Sequence, residues 1–503
     1  MRLSYLSAAF LACALAAPAA SISWQPWSDA ALEQARRENK FVLLDLEAVW
    51  CHWCHVMDET TYRDPAVVAL VRSKYIAVRV DQDSRPDISN RYEDYGWPAT
   101  VVFGPKGEEI VKRQGYLEPR QMANLLRAIV KDPSPGPSVQ PERTLAFGGP
   151  PQLTPELREG LKSRFFASYD SQHGGWGTDQ KYLDWNCVEY AMLLARAGDA
   201  KAEHMARETL RQEKKLIDPA WGGVYQYSVG GDWDQPHFEK IMAFQAEDLR
   251  IYAMAYRQWK DPAYRDSALA IAKYLRDFLT SPEGAFYTSQ NADLIDGKHS
   301  AEYFALNDAA RRKQGIPRID QHRYARENGW AIRAFATLYT ATGDRQHLDA
   351  AVRSANWAIA NRASAGGGFR HDEKDPAGPY LGDTLAMGRG FLALYDATRD
   401  RQWLERAEAA ARFIDANFRG VQAGYVTAKE RAGSAYPPQP EREENAMLAR
   451  FAAELSRSAG NRAYKEIEDL AMRYLAEPSV ARMAPVATVL LADEETRAPA
   501  NGR

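Results

Sequence analysis

Cysteine is scarce in this chain: four residues among 503, Cys13, Cys51, Cys54 and Cys187. Structural zinc needs four converging ligands. Cys51, Cys54 and His55 supply three, and no second Cys/His cluster completes the set, so no metal and no cofactor is expected. Charge of one sign is also lacking. Lys and Arg number 64 against 67 Asp and Glu, a net charge of −3. No basic stripe stands out, which argues against a nucleic-acid partner. Long apolar runs are absent beyond Leu3 to Ala17, and that run is too short to span a bilayer comfortably.

What is there reads as an exported, soluble, multi-domain chain. Hydrophobic residues make up 45% and charged residues 26%, an ordinary globular balance. The length calls for two or more domains. Thirteen Trp and 25 Tyr point to large aromatic cores. Arg2, the apolar run and Ala17-Pro18-Ala19 form the pattern of a secretory signal peptide, residues 1–19. The expected location is therefore periplasmic or secreted. Leu11-Ala12-Cys13 gives a weaker alternative, a lipoprotein anchored through Cys13.

Residues 24–131 alternate between strand-like and helix-like patterns. "FVLLDLEA" (41–48) is a continuous apolar run, as in a central strand. "YIAVRVD" (75–81) is a second strand, and residues 99–116 a hairpin with its turn at Pro105-Lys106-Gly107. Residues 132–155 form a Pro-rich linker. Helical patterns then dominate residues 156–493, followed by a tail expected to be disordered, residues 494–503. "LYTATGDRQHL" (338–348) recurs 56 residues later as "LYDATRDRQWL" (394–404). Glycine-aromatic punctuation repeats as "GGWG", "GGVY", "GAFY", "GGGF" and "AGYV". A repeat of this length is one helical hairpin plus a loop. Six antiparallel hairpins closing into a toroid is the expected architecture.

"AVWCHWCHVM" (48–57) places Cys-x-x-Cys just after a buried strand, opening a helix. That is the thioredoxin arrangement. The helix N-terminus stabilises a thiolate on Cys51, and Cys54, one turn inside, resolves a mixed disulfide. A two-residue gap closes almost no loop, so the pair suits reversible redox chemistry better than stapling. A c-type haem would need a small helical domain with a distal ligand, which a strand-based fold does not offer. Asp45, in an otherwise apolar strand, should be desolvated with a raised pKa and fit to exchange protons with Cys54. Trp50 and Pro98 would shape the docking groove, with Pro98 at the position where such folds carry a cis-proline. Cys187 reads as a buried small residue.

Three further stretches, with "WCHWCHVM" (50–57), carry a family resemblance: "VRVDQDSRPDIS" (78–89) with "GWPATVVF" (96–103), "GGVYQYSVGGDWDQPHFEKIM" (222–242), and "FYTSQNAD" (286–293). Together they resemble the spermatogenesis-associated protein 20-like, thioredoxin domain-containing family. The resemblance implies an α/β thioredoxin-like domain followed by an all-α (α/α)6 toroid of the six-hairpin glycosidase type. Barrels of that shape host glycosidases and sugar epimerases. A ligand site at the mouth would draw on Trp233, Asp234, His237, Glu239, Lys240, Asp293, Asn328, His371 and Asp383. His237 and Glu239 would serve as base and acid, with Tyr227 or Trp233 stacking on a sugar ring.

Two readings follow. In the first, the chain is an exported thiol–disulfide oxidoreductase whose partners are protein thiols and disulfides, and whose barrel holds the substrate. In the second, the barrel binds or transforms a carbohydrate and the smaller domain regulates it. A non-catalytic chaperone-like module is a third.

Overall fold

The structure is a computed structural model that describes residues 21–139, 145–375, 377–430, 434 and 436–497. The expected signal peptide, Cys13 and residues 498–503 lie outside the described residues. Among the described residues no helix is long and apolar enough to cross a membrane.

The N-terminal domain is a five-stranded mixed sheet with helices on both faces. Its elements are β1 (Gln25–Pro26), α1 (Asp29–Glu38), β2 (Phe41–Glu47), α2 (His52–Glu59), α3 (Pro65–Lys74), β3 (Tyr75–Asp81), α4 (Pro86–Ser89), β4 (Ala99–Phe103), β5 (Glu109–Gln114) and α5 (Pro119–Lys131). The strand order is β1-β3-β2-β4-β5. β2 runs parallel to β3 and antiparallel to β4, so its apolar side chains are covered on both faces. Local chemistry fixes the helix starts. Ser28 caps α1, and Asp64 caps α3 with Pro65 in the first turn. The Trp97–Pro98 peptide is cis.

The second domain closes on itself. After α6 (Pro155–Ala167) come α7 (Trp185–Arg196), α8 (Ala200–Glu213), α9 (Met242–Trp259), α10 (Pro262–Phe278), and the short α11 (Ala301–Phe304) and α12 (Asp308–Gln314). Then follow α13 (Ala325–Thr342), α14 (Arg345–Asn361), α15 (Leu381–Thr398), α16 (Arg401–Asn417), α17 (Arg442–Ala459), α18 (Lys465–Leu475), α19 (Pro478–Ala481) and α20 (Ala487–Arg497). The inner ring runs α7, α9, α13, α15, α17, α20 and back to α7. Each inner helix packs on an outer one: α8, α10, α14, α16 and α18 on the first five, and α6 on α20. The sixth pair thus joins the two ends of the barrel. Arg158 and the Leu153 N–H both bond Asp493, which ties that seam. This is the expected (α/α)6 toroid of the six-hairpin glycosidase type. The expected tail begins too early, because α20 runs to Arg497 and Glu495 pairs with Arg450 at 2.9 Å.

The repeat seen in the sequence has a physical source. Three of these inner helices end on Lys260, Gly343 and Arg399 in the left-handed region, and Asp261, Asp344 and Asp400 then cap the outer helices. Three residues after each cap, Tyr264, His347 and Trp403 are buried. At the other end, three of the five glycine-aromatic loops are held at both backbone groups of one residue by an amide side chain from the next inner helix. Gln245 bonds the Val224 N–H and C=O, Asn328 those of Phe286, and Asn445 those of Tyr425.

Candidate functional site: a dithiol sealed against the barrel mouth

Cys51 and Cys54 form a disulfide, with Cα atoms 5.3 Å apart. Cys51 is the N-cap of α2, and its sulfur accepts the Cys54 N–H at 3.1 Å. An anionic sulfur placed there gains a backbone donor and the positive end of the helix. Asp45 is buried on β2, hydrogen-bonded by the Tyr62 hydroxyl at 3.0 Å and by Arg79 Nε at 2.9 Å. Burial outweighs Arg79 and pushes its pKa up to about 6. A proton can therefore reside on Asp45 near neutral pH.

The sulfurs do not face solvent. Cys51 is 3% and Cys54 4% exposed. They pack with Ala48, Trp50 and barrel residue Ile241, bordered by Trp97 and Phe244. The expected groove shaped by Trp50 and Pro98 is thus filled by the barrel mouth. Hydrogen bonds to two backbone carbonyls fasten the cover: Ala292 N–H donates to the Trp50 carbonyl at 3.2 Å, and the Arg318 guanidinium to the Val49 carbonyl at 3.0 Å. Trp50 instead donates its indole N–H to Asp83 at 2.8 Å.

A histidine–carboxylate network lies across the same contact. Asp293 accepts from His52 Nδ1 at 2.7 Å and pairs with His55 Nδ1 at 3.2 Å. His55 Nε2 lies 3.1 Å from the Val49 carbonyl, so both its ring nitrogens face acceptors and the imidazolium satisfies both. Burial opposes that charge, but Asp293 and Asp296 carry the His55 pKa above its usual value. Burial likewise works against Asp293, and the two histidines hold it below the usual carboxylate range. The His52 N–H donates to Glu239 at 3.2 Å. Glu239 is buried, its second oxygen has no partner among the described residues, and burial raises its pKa to about 7. His237 stacks on Tyr227, with centroids 4.5 Å apart. Burial, with His52 and His299 nearby, lowers its pKa to about 4.

The structure gathers His237, Glu239 and Asp293 at the dithiol and sends the other barrel candidates elsewhere. Trp233 is 1% exposed, wedged against Gly175, with its indole N–H on the His173 carbonyl, so it cannot stack on a sugar in this conformation. Asp234 pairs with Lys215 on the surface. Lys240 is fully buried, bonding Asp218 at 2.7 Å and the Gly222 carbonyl, and burial lowers its pKa to about 8. Asn328 is one of the loop staples described above. His371 and Asp383 do lie at the mouth, but as a latch. His371 bonds Asp383 at 2.9 Å and the Asp83 carbonyl of the smaller domain at 2.6 Å. Two acceptors again favour the imidazolium. Burial disfavours it, yet Asp383 lifts the pKa to about 9. Cys187 is buried and reduced.

Sequence reasoning missed Asp83, Ile241, Phe244 and Arg318. Burial, with Asp81 and Glu327 close by, raises the Asp83 pKa to about 8. The available signal was that "VRVDQDSRPDIS", "PHFEKIM" and "FYTSQNAD" belong to one set of motifs. They meet in space: Asp83, Glu239 with Ile241, and Asp293 all abut the Cys51 loop.

Known proteins align with both halves. Residues 2–131 match the family model Thioredox_DsbH, described as a protein of unknown function, DUF255. Human spermatogenesis-associated protein 20 is 26% identical over 307 residues, 54% of this chain and 39% of the human protein. The matched stretch therefore spans about two fifths of that relative's length. Thiol:disulfide interchange protein DsbD 1 of Pseudomonas aeruginosa is 40% identical over 85 residues, 16% of this chain and 14% of that protein. A sugar epimerase from a ruminal bacterium superposes with a TM-score of 0.50 at 14% identity, over 64% of this chain and 86% of that one. At that identity the likeness establishes the barrel fold alone. These relatives bear out the expected resemblance to the spermatogenesis-associated protein 20-like family.

Proposed function

We propose that the chain is an exported thiol–disulfide oxidoreductase whose dithiol works at the interface with its own barrel. One observation carries this reading: the separate sequence motifs converge on Cys51 and Cys54, surrounding them with paired histidines and carboxylates. In the reduced protein the Cys51 thiolate attacks one sulfur of a partner disulfide. A mixed disulfide forms and the partner's other sulfur leaves as a thiolate. Cys54, having lost its proton toward Asp45, then attacks Cys51. The intramolecular disulfide closes, the second partner thiolate leaves, and two electrons have passed to the partner. Run in reverse, the same steps oxidise a dithiol. Because the barrel covers the sulfurs, a protein partner requires the two domains to part, whereas a small disulfide needs only local opening. Reduction of a small aromatic disulfide and of insulin, with Cys51→Ala and Cys54→Ala as controls, tests the proposal. Reduction of either substrate that depends on Cys51 is expected. Turnover of neither, or turnover unaffected by Cys51→Ala, contradicts it.

A second reading, a carbohydrate-binding or carbohydrate-active mouth, is favoured by one specific feature. Glu239 and His237 both lie beside His52 at the contact between the domains, with pKa values pushed apart, to about 7 and about 4, as an acid–base pair requires. It predicts a glycan that raises the melting temperature and an effect lost in His237→Ala.

A further inference from the structure

The barrel holds a chamber that the dithiol chemistry does not use. It is a cavity of about 260 Å³ inside the ring of inner helices, roofed by Gln82, Asn90 and Glu93 of the smaller domain. Five arginines line it: Arg326 is paired with Glu327 at 2.7 Å, and Arg250, Arg333, Arg389 and Arg450 form a separate cluster. Glu189 bonds Arg250 at 2.8 Å and Arg450 at 2.6 Å. Glu247 bonds Arg250 at 2.6 Å and lies 3.6 Å from Arg333, and Glu495 bonds Arg450. All three carboxyls are held below their usual range, so within this cluster three anions face four cations. The uncompensated cation is Arg389, on α15. It is 7% exposed, lines the cavity, and makes no hydrogen bond or ion pair with any described residue. Burial, then Arg333 and Arg450, depress its pKa. A buried guanidinium with no partner costs stability, and a cavity beside it gives an anion access.

The other wall of the same cavity carries the opposite imbalance. Glu443 and Glu444 line it with Glu441 and Glu93. Glu443 accepts no hydrogen bond and forms no ion pair among the described residues, and one oxygen of Glu444 is likewise unpartnered. Burial and then Glu441 raise both, to about 7 and about 8. An ammonium group placed between them would relieve that repulsion. Trp185 and Trp330 supply apolar surface between the two walls. A cavity of this volume falls below the roughly 300 Å³ at which drug-sized pockets begin.

We infer that this cavity binds a small zwitterion, a free α-amino acid or a compound of like size, with its carboxylate on Arg389 and its ammonium group on Glu443 and Glu444. This does not rest on the redox proposal. It is tested by isothermal titration of the mature protein against the free α-amino acids, then against the N-acetyl and decarboxylated forms of the best binder. The expected result is saturable binding that weakens at least tenfold when either charge is removed. Arg389→Gln should abolish binding while raising the melting temperature of the ligand-free protein, because an unpaired buried charge is gone. Glu443→Gln, at a less buried position, should weaken binding without loss of fold. Binding of no amino acid, binding of acetate as tightly as of the best amino acid, or unchanged binding in Glu443→Gln overturns the inference.

Discussion

His371 should make the stability of this protein fall as the solution turns alkaline. Its imidazolium bonds Asp383 and the Asp83 carbonyl, and its pKa stands at about 9 against an ordinary 6.5. The folded state therefore keeps a proton that the unfolded chain gives up. The stabilisation is complete below pH 6.5 and is lost as the pH rises through 9. At about 1.4 kcal/mol per pH unit, the interval sets a ceiling near 3 kcal/mol. Between pH 7 and 9.5 the loss should be about 2 kcal/mol, roughly 30-fold in the folding equilibrium. Asp83, raised to about 8, acts in the same direction, since a raised carboxyl also binds its proton more tightly when folded. Comparison with His371→Gln separates the two, because Asp83 is present in both proteins. Urea unfolding followed by tryptophan fluorescence at the two pH values is the assay. The native protein should lose about 2 kcal/mol more than His371→Gln. Equal losses would refute the latch.

Three other outcomes follow from the geometry. Ile241→Ala opens the apolar cover and should accelerate alkylation of reduced Cys51 about tenfold, alongside a stability loss of about 2–4 kcal/mol; an unchanged alkylation rate would show that Ile241 does not seal the sulfurs. Asp45→Asn should remove an inflection near pH 6 from the rate of small-disulfide reduction, and an identical pH profile would detach Asp45 from proton transfer. Asn328→Ala leaves the Phe286 N–H and C=O without their side-chain partner and should lower stability by about 2 kcal/mol with dithiol reactivity unchanged; a selective loss of reactivity would mean that Asn328 belongs to the site.

The thioredoxin-like half was legible because its signals are local. A buried apolar strand, a cap residue and a cysteine at a helix start are each readable within ten residues. The toroid was legible for a related reason: capped turns such as Gly343-Asp344 and Arg399-Asp400 repeat with the hairpins. What stayed hidden were long-range relations. Nothing local to Asn328 or Lys240 distinguishes a ligand-binding polar group from one that staples a loop or fills a buried ion pair. Trp233 looked like a sugar platform, yet Gly175 and the His173 carbonyl claim its ring and its N–H. Most consequentially, the packing of one domain on the other's mouth turned two expected sites into one, and no spacing within either domain encodes that. The family motifs came nearest, since "PHFEKIM" and "FYTSQNAD" sit far from "WCHWCHVM" in the chain but against it in the fold.

The central claim is that Cys51 and Cys54 form a working redox pair, and the most direct test is their equilibrium across a glutathione series, read by alkylation mass shifts. The account predicts one reversible two-electron transition that leaves Cys187 unchanged. Thiols that never equilibrate with glutathione in the folded protein would contradict it.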